Sequence, residues 1–359
     1  IQENSNKTVS IISAEPVKVI KGQQSDFEEL RRVVDEYAYE GSHASSSFPA
    51  GGAFGWVDYG GDFCFGIYVE CLFFDHEEAQ WYELGGLSKK MLAYELLDFE
   101  VGDFTAHTNI DQYILGVERV QDYIRKGDIY QVNLTQKFSA EVISGSLFSL
   151  YDRLREVAPA PMSAYLNLQG REVLSSSPET FLKMNGRRIE TRPIKGTRPR
   201  YKDKKLDKQS ASELINSAKE RSELVMITDL ERNDLGQVCE YGSVRVEEML
   251  KLEKLEHVYH LVSKVSGELR LDVDHLHALE KCFPGGRITG APKRRAMEII
   301  DELEEEKRGL YTGVVGYIGF NEVSQFNIVI RTLVREGDDL HYHVGAGIVA
   351  DSDPLAEYE

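Results

Sequence analysis

Cysteine, tryptophan and proline are scarce in this chain: four, two and ten among 359 residues. Cys64, Cys71, Cys239 and Cys282 show no CxxC spacing, so they suggest neither a zinc ribbon nor a disulfide framework. They read as buried free thiols in a reducing compartment. Long apolar runs are missing too. No stretch approaches the ~18 apolar residues of a membrane span, and the expectation is a globular protein that does not enter a bilayer. Positive charge is in deficit, with 42 Lys and Arg against 60 Asp and Glu, a net charge of −18. That balance excludes a protein whose main task is gripping nucleic acid, which needs basic stripes to displace counterions. An acidic protein that takes an anionic ligand must supply local positive potential from a metal, basic side chains or oriented amides. The chain opens on Ile1 without a charged-then-apolar leader, so it reads as a trimmed chain with no visible targeting signal, and cytoplasmic placement is expected.

What is present is regular periodicity without a Pro/Gly/Ser-rich spacer. Alternating apolar runs predict strands over 163–168, 172–176, 181–184, 187–192 and 325–333. Helical spacing predicts helices over 26–40, 110–126, 146–157, 208–230, 273–282 and 292–306. These elements come in blocks more than in strict alternation. That favours an α+β fold, two related large antiparallel β-sheets forming a sandwich flanked by helices. Gly51-Gly52-Ala53-Phe54-Gly55-Trp56 and Thr312-Gly313-Val314-Val315-Gly316-Tyr317 carry glycines and an aromatic at similar spacing, a faint echo compatible with a duplicated sheet.

Several residues could carry chemistry. In Ile189-Glu190-Thr191-Arg192-Pro193-Ile194-Lys195-Gly196-Thr197, Pro193 fixes φ and Gly196 permits a bend, so the Lys195 amine sits between a rigid strand and a tight turn. A lysine held in a partly apolar cavity can lose its proton and act as a nucleophile. Glu220 and Glu223 are three residues apart on a predicted helix and share a face, so two hard oxygen donors converge; most such pairs are merely solvated. Gly285-Gly286-Arg287-Ile288-Thr289-Gly290-Ala291-Pro292-Lys293 leads into a helix near Pro292, where free amides favour an anion, or else forms a structural turn. It is not a nucleotide P-loop, because Ala291-Pro292 separates Gly290 from Lys293. Glu179 after Ser177-Pro178 reads on its own as an ordinary surface acid at a strand start. His257 and His260 have metal-type spacing, but nothing completes a zinc set, and His260 reads better as a hydrogen-bonding group. His275, His277, His341 and His343 read as structural.

In this order, Gly127-Asp128-Ile129-Tyr130-Gln131-Val132-Asn133-Leu134, Ser177-Pro178-Glu179, the Lys195 run, Glu220-Arg221-Ser222-Glu223, Asp229-Leu230-Glu231-Arg232-Asn233-Asp234, His257-Val258-Tyr259-His260, the Gly285 segment and Gly345-Ala346-Gly347-Ile348 resemble the chorismate-utilising enzymes. The resemblance is strong over 105–359 and weak before it. It implies the α+β sandwich, with 1–104 as an N-terminal part shortened at its start and 105–359 as the chorismate-binding catalytic region of one unit. Lysine at 195 resembles component I of the aminodeoxychorismate-forming members, where anthranilate-forming members usually have alanine. Gln131 matches the ammonia-using members; water-using ones carry lysine there.

The resemblance further implies that Lys195 attacks C2 of chorismate, Glu179 protonates the departing C4 hydroxyl and ammonia adds at C4, with His260 beside the substrate. It implies substrate contacts from Thr197, Gly285, Gly286, Thr289, Gly290, Tyr311, Arg331, Gly345 and Gly347. It implies Mg2+ held by Glu220, Glu223 and Glu357. In the family another glutamate follows about three residues later, and serine usually stands where this chain has Arg287. No cysteine sits in a glutaminase setting, so ammonia is expected from solution or from a separate glutamine amidotransferase subunit. Three readings stay open: amination of chorismate at C4, anthranilate formation, and a non-catalytic chorismate- or metabolite-binding protein.

Overall fold

A computed structural model describes residues 9–39, 48–91, 97–255 and 257–359. The helix Ile110–Lys126 is written plainly in the sequence. Asn109 accepts from the Gln112 amide while Gln112 reaches back to the Asn109 amide, and Gly127 closes the helix at φ 83°. Tyr113, Val117 and Val120 form its apolar stripe and bury against Val132, Leu134, Ile299, Ile300 and Ile348.

Two large antiparallel sheets dominate, as expected. A ten-stranded sheet runs in the order Ile194–Pro199, Val258–Glu268, Arg188–Thr191, Thr180–Asn185, Val323–Ile328, Val314–Gly319, Gly52–Val57, Asp62–Tyr68 and Lys18–Gln23, with Arg245–Lys254 also paired to Val258–Glu268. An eight-stranded sheet runs Met162–Leu168, Arg171–Ser177, Thr332–Glu336, Asp339–Ile348, Gln131–Gly145 and Gly290–Ala291, with Phe99–Val101 and Thr105–Ala106 on the long strand Gln131–Gly145. Trp56, Cys64 and Val315 from the first sheet pack with Ala164, Leu168, Val173 and Val334 from the second, which makes the sandwich. The opposite face of the ten-stranded sheet is covered by Phe27, Leu30 and Val33 of the helix Phe27–Glu36, with Leu235, Leu276 and Leu279 from two others. No described helix is long and apolar enough to cross a membrane. All four cysteines are free and buried.

The structure redraws several expected elements. The helix read over 26–40 spans Phe27–Glu36, and residue 40 lies outside the described residues. The helix read over 208–230 is two, Lys204–Asn216 and Ala218–Gly236: Ser217 is extended at ψ 110° and its hydroxyl caps the second by accepting from the Glu220 amide. The strand read over 325–333 is also two, Val323–Ile328 in one sheet and Thr332–Glu336 in the other. The echo segments are neighbours within one sheet, Gly55 opposite Gly316 and Phe54 opposite Tyr317.

Candidate functional site

At two adjacent points the chain passes directly from one large sheet to the other, and both crossings carry functional groups. Arg171–Ser177 lies in the eight-stranded sheet and Thr180–Asn185 in the ten-stranded one, so Pro178-Glu179 is a crossing. Ile328 to Thr332 crosses back, with Arg331 left-handed at φ 51°. The crossings are tied together: the Ile328 amide donates to Glu179 O at 3.1 Å, the Ser176 amide to Arg331 O at 3.0 Å, and the Ser177 hydroxyl to Ile328 O at 2.7 Å. Crossing strands must give up ladder partners, which leaves room for side chains to turn into the gap.

Beside the crossings is a cavity of about 600 Å³. Lys195, Arg287 and Arg331 line it with Tyr311, His343, Asn133, Gly345 and Gly347, and no Asp or Glu is among its lining residues. In a chain of net charge −18 this is a local reversal of sign. Tyr311 is buried and stacks on His343 at 5.2 Å, and burial pushes its phenol up to about 12, so it stays a neutral donor. Burial pushes the His343 imidazole down to about 3, so it stays uncharged. His343, read as structural, therefore forms part of the wall.

Lys195 does not precede a tight turn. It lies inside the strand Ile194–Pro199, where Gly196 at φ 72° makes a bulge against Val258–Glu268. A side chain at Gly196 would put Cβ 2.6 Å from Leu214 Cδ1 and 2.9 Å from Glu220 Oε2, so glycine is required by both conformation and space. The bulge aims the Lys195 amine at Glu223, with Nζ 2.9 Å from Oε2. A Cβ on Gly347 would lie 3.4 Å from that Nζ and 2.6 Å from Gln131 Nε2. Lys195 and Gln131 thus approach one bare glycine from two sides, although buried Gln131 does not itself line the cavity.

Glu179 is 1% exposed; its Oε1 accepts from the Ile194 amide at 3.4 Å and its Oε2 is ion-paired with Arg287. Burial, then the charge of Arg331, pushes the Arg287 pKa below its ordinary value while the paired Glu179 carboxylate acts against that shift, so Arg287 stays cationic at neutral pH. His260 is buried, its Nδ1 3.0 Å from Thr197 Oγ1; burial and then Arg331 hold its pKa down.

The Gly285 segment contributes differently from expectation. Gly285, Gly286, Thr289 and Gly290 do not line the cavity; Arg287 and Ile288 do. Thr289 Oγ1 donates to Gly285 O at 3.0 Å and to Gly286 O at 3.2 Å, and a Cβ on Gly290 would meet Gln131 O at 2.2 Å. These four residues hold a one-turn helix, Gly286–Thr289, tight against the sheet. At the next helix, Lys293–Leu303, Lys293 Nζ is engaged by Asp234 Oδ2 at 2.7 Å rather than turned to the cavity.

The three expected metal acids each face another partner. Glu223 meets Lys195, Glu220 meets Arg198 Nη1 at 3.5 Å, and Glu357 accepts from Ser352 Oγ at 2.7 Å with Lys219 Nζ 4.0 Å away. Among the described residues no three His, Cys, Asp or Glu side chains gather as a metal set. As hard oxygen donors, Glu220 and Glu223 on one helix turn are chemically suited to Mg2+.

Two groups escaped sequence reading. Arg308 is 3% exposed and joins the cavity wall to the core, donating to Asn133 O at 2.6 Å and Ile288 O at 2.8 Å. Nothing in Glu305-Glu306-Lys307-Arg308-Gly309 distinguishes it from a solvated charge run. Glu231 and Asp234 are buried with Lys293; burial and then the Asp234 charge raise the pKa of Glu231. Their spacing in Asp229-Leu230-Glu231-Arg232-Asn233-Asp234, one helical turn apart, was the available signal.

A family model described as chorismate binding enzyme matches residues 92–359. Aminodeoxychorismate synthase component 1 of Bacillus subtilis (strain 168) is 48% identical over 258 residues, 72% of this chain and 55% of that protein. An anthranilate synthase component 1 of Haloarcula marismortui is also 48% identical, over 243 residues, 68% of this chain and 50% of that protein. The chain thus spans about half the length of these curated relatives. The crystal structure of anthranilate synthase component I from Streptococcus pneumoniae TIGR4 superposes with TM-score 0.87 at 30% identity, covering 100% of this chain and 91% of that one.

Proposed function

The chain belongs to the chorismate binding enzymes, and from that premise we propose that it aminates chorismate at C4 to 4-amino-4-deoxychorismate, a precursor of para-aminobenzoate and folate. One observation carries the choice of ligand: a cavity lined by Lys195, Arg287 and Arg331 and by no carboxylate, within a strongly acidic chain. Chorismate carries two carboxylates, and at an effective dielectric near 20 each opposite pair at ~4 Å attracts by roughly 4 kcal/mol before desolvation is counted. Arg331 suits a planar carboxylate because its fork can donate two parallel bonds, and Tyr311 offers a neutral hydroxyl beside it.

In the proposed sequence the Lys195 ammonium gives a proton to water and the free amine bonds to C2. The ring double bonds shift, the C4–O bond breaks, and Glu179 gives its proton to the hydroxyl, which leaves as water. Ammonia then bonds to C4 as the C2–N bond to Lys195 breaks, which regenerates the lysine. Gln131 is neutral and so offers no base to activate water at C2. His260, uncharged and fixed by Thr197, serves as a hydrogen-bonding group. Mg2+, if bound through Glu220, Glu223 and Glu357, would supply positive charge to the ring carboxylate. Ammonia would come from solution or from a separate glutamine amidotransferase subunit, the arrangement that the component naming of the relatives supports.

Product analysis with chorismate, Mg2+ and ammonium tests the reading. Aminodeoxychorismate supports it. Anthranilate would reassign the chain to the activity named for the second relative, and binding without turnover would make it a chorismate-binding protein.

A further inference from the structure

The Arg287–Glu179 pair sits uneasily with proton donation. A guanidinium beside a carboxyl favours the ionised form, whereas a group that protonates a leaving hydroxyl must carry a proton. Both conditions can hold in sequence if the arginine changes partner. Arg287 lines the cavity with Lys195 and Arg331, and the charge of Arg331 disfavours its own, so an anion entering there would attract it. The Glu179 carboxyl, in a residue 1% exposed, would then keep only the 3.4 Å bond from the Ile194 amide among the contacts described. A carboxylate so buried and without a cation is strongly disfavoured.

Other titratable and charged groups lie on each side of the crossing. Tyr311 and His343 line the main cavity with the three cations, and both remain neutral at pH 7. Behind the crossing, Arg192, Glu253 and His260 line a small cavity with Pro178 and Thr180. Arg192 and Glu253 are paired with each other at 2.9 Å, and burial keeps His260 uncharged, so neither replaces Arg287.

We propose that Arg287 is a partner-exchanging positioning residue: it holds Glu179 charged in the free protein and leaves it for a carboxylate of incoming chorismate, whereupon Glu179 takes a proton from solvent. Substrate binding thereby arms the acid. The inference rests on the chorismate reading above.

Calorimetric titration with chorismate and Mg2+, without ammonia, in buffers of different ionisation enthalpy counts protons taken up per chorismate bound. Lys195→Ala protein serves as the background, so that no covalent step contributes. About one proton per chorismate near pH 7 is expected. Adding Glu179→Gln should abolish the uptake. Adding Arg287→Gln should abolish it too, because Glu179 is then protonated before binding, while Arg287→Lys should retain it and controls for folding. Binding without uptake in the background protein, or uptake that survives Glu179→Gln, overturns the exchange while leaving the chorismate site intact. Absence of chorismate binding in folded protein of every variant, and in the parent, overturns the functional reading and the exchange together.

Discussion

Replacing Arg308 by alanine tests how the cavity wall is held. The guanidinium makes five hydrogen bonds: to Asn133 O at 2.6 Å, Ile288 O at 2.8 Å, Thr312 Oγ1 at 3.3 Å, and Glu304 Oε1 and Oε2 at 2.7 and 2.8 Å. Both partners of the ion pair are nearly inaccessible, with side chains 1% and 5% exposed. Removing one partner of such a pair costs about 3–5 kcal/mol, because the other charge stays buried without compensation. The two carbonyls left unmet add roughly 1–3 kcal/mol each unless water enters. The same bonds fix Asn133 and Ile288 in the cavity wall, so chorismate affinity should fall as well. Denaturant unfolding of Arg308→Ala, Glu304→Gln and the double variant measures the coupling. The double variant should be markedly less destabilised than the sum of the singles. A loss below about 1 kcal/mol in Arg308→Ala, or simple additivity, would refute the account.

Lys195→Ala should slow amination at C4 on the order of 10³-fold or more while the protein stays folded, checked by product assay and circular dichroism; near-normal turnover rules out a covalent role. Gln131→Lys should lower ammonia use and release some isochorismate-type product, detectable by chromatography, and an unchanged product at the parent rate would show that this side chain does not act on the reacting face. Glu231 has a raised folded-state pKa, so the folded protein holds this proton more tightly than the unfolded chain. Its contribution is therefore most favourable below the ordinary value of 4.5 and declines as pH rises through the folded value. Glu231→Gln should gain Tm relative to the parent progressively from about pH 5 upward, and a pH-independent difference would contradict the assignment.

How far the sequence discloses the fold depends on where each signal lies. The helix Ile110–Lys126 is legible because its cap, stripe and closing glycine are all local. The crossings are not. From Val323 to Glu336 the chain is nearly continuous in apolar alternation, and only tertiary pairing shows that the first half belongs to one sheet and the second to the other. Arg331 adopts a conformation that nothing about an arginine predicts. The break at Ser217 was legible in hindsight, since Ser217-Ala218-Lys219-Glu220 has the residues of an N-terminal capping box inside an otherwise helical stretch. Resemblance carried Lys195, Tyr311, Arg331, Gly345 and Gly347 to residues that line the cavity. It could not foresee the Arg287–Glu179 pair, which joins one position departing from the family pattern to one that follows it.

The pairing of the acids changes what a metal would have to do. Counted along the sequence, Glu179, Glu220, Glu223 and Glu357 converge on a ligand with two carboxylates, with repulsion of about 1–4 kcal/mol for each pair near 4 Å, so chorismate should be excluded without a divalent ion. In the fold, Glu179 faces Arg287, Glu220 faces Arg198, Glu223 faces Lys195 and Glu357 faces Ser352 and Lys219. The cavity wall presents cations and no carboxylate. Much of the repulsion is thus answered by side chains before any ion binds, and Arg331, the cavity cation not matched to one of these four acids, adds positive charge for the dianion. Mg2+ should therefore raise turnover far more than it raises chorismate affinity. Calorimetry and product assay, each with Mg2+ and with excess chelator, separate the two: affinity within about tenfold alongside a much larger loss of rate is expected. Loss of chorismate binding by about 100-fold or more on chelation would show that these ion pairs do not neutralise the site.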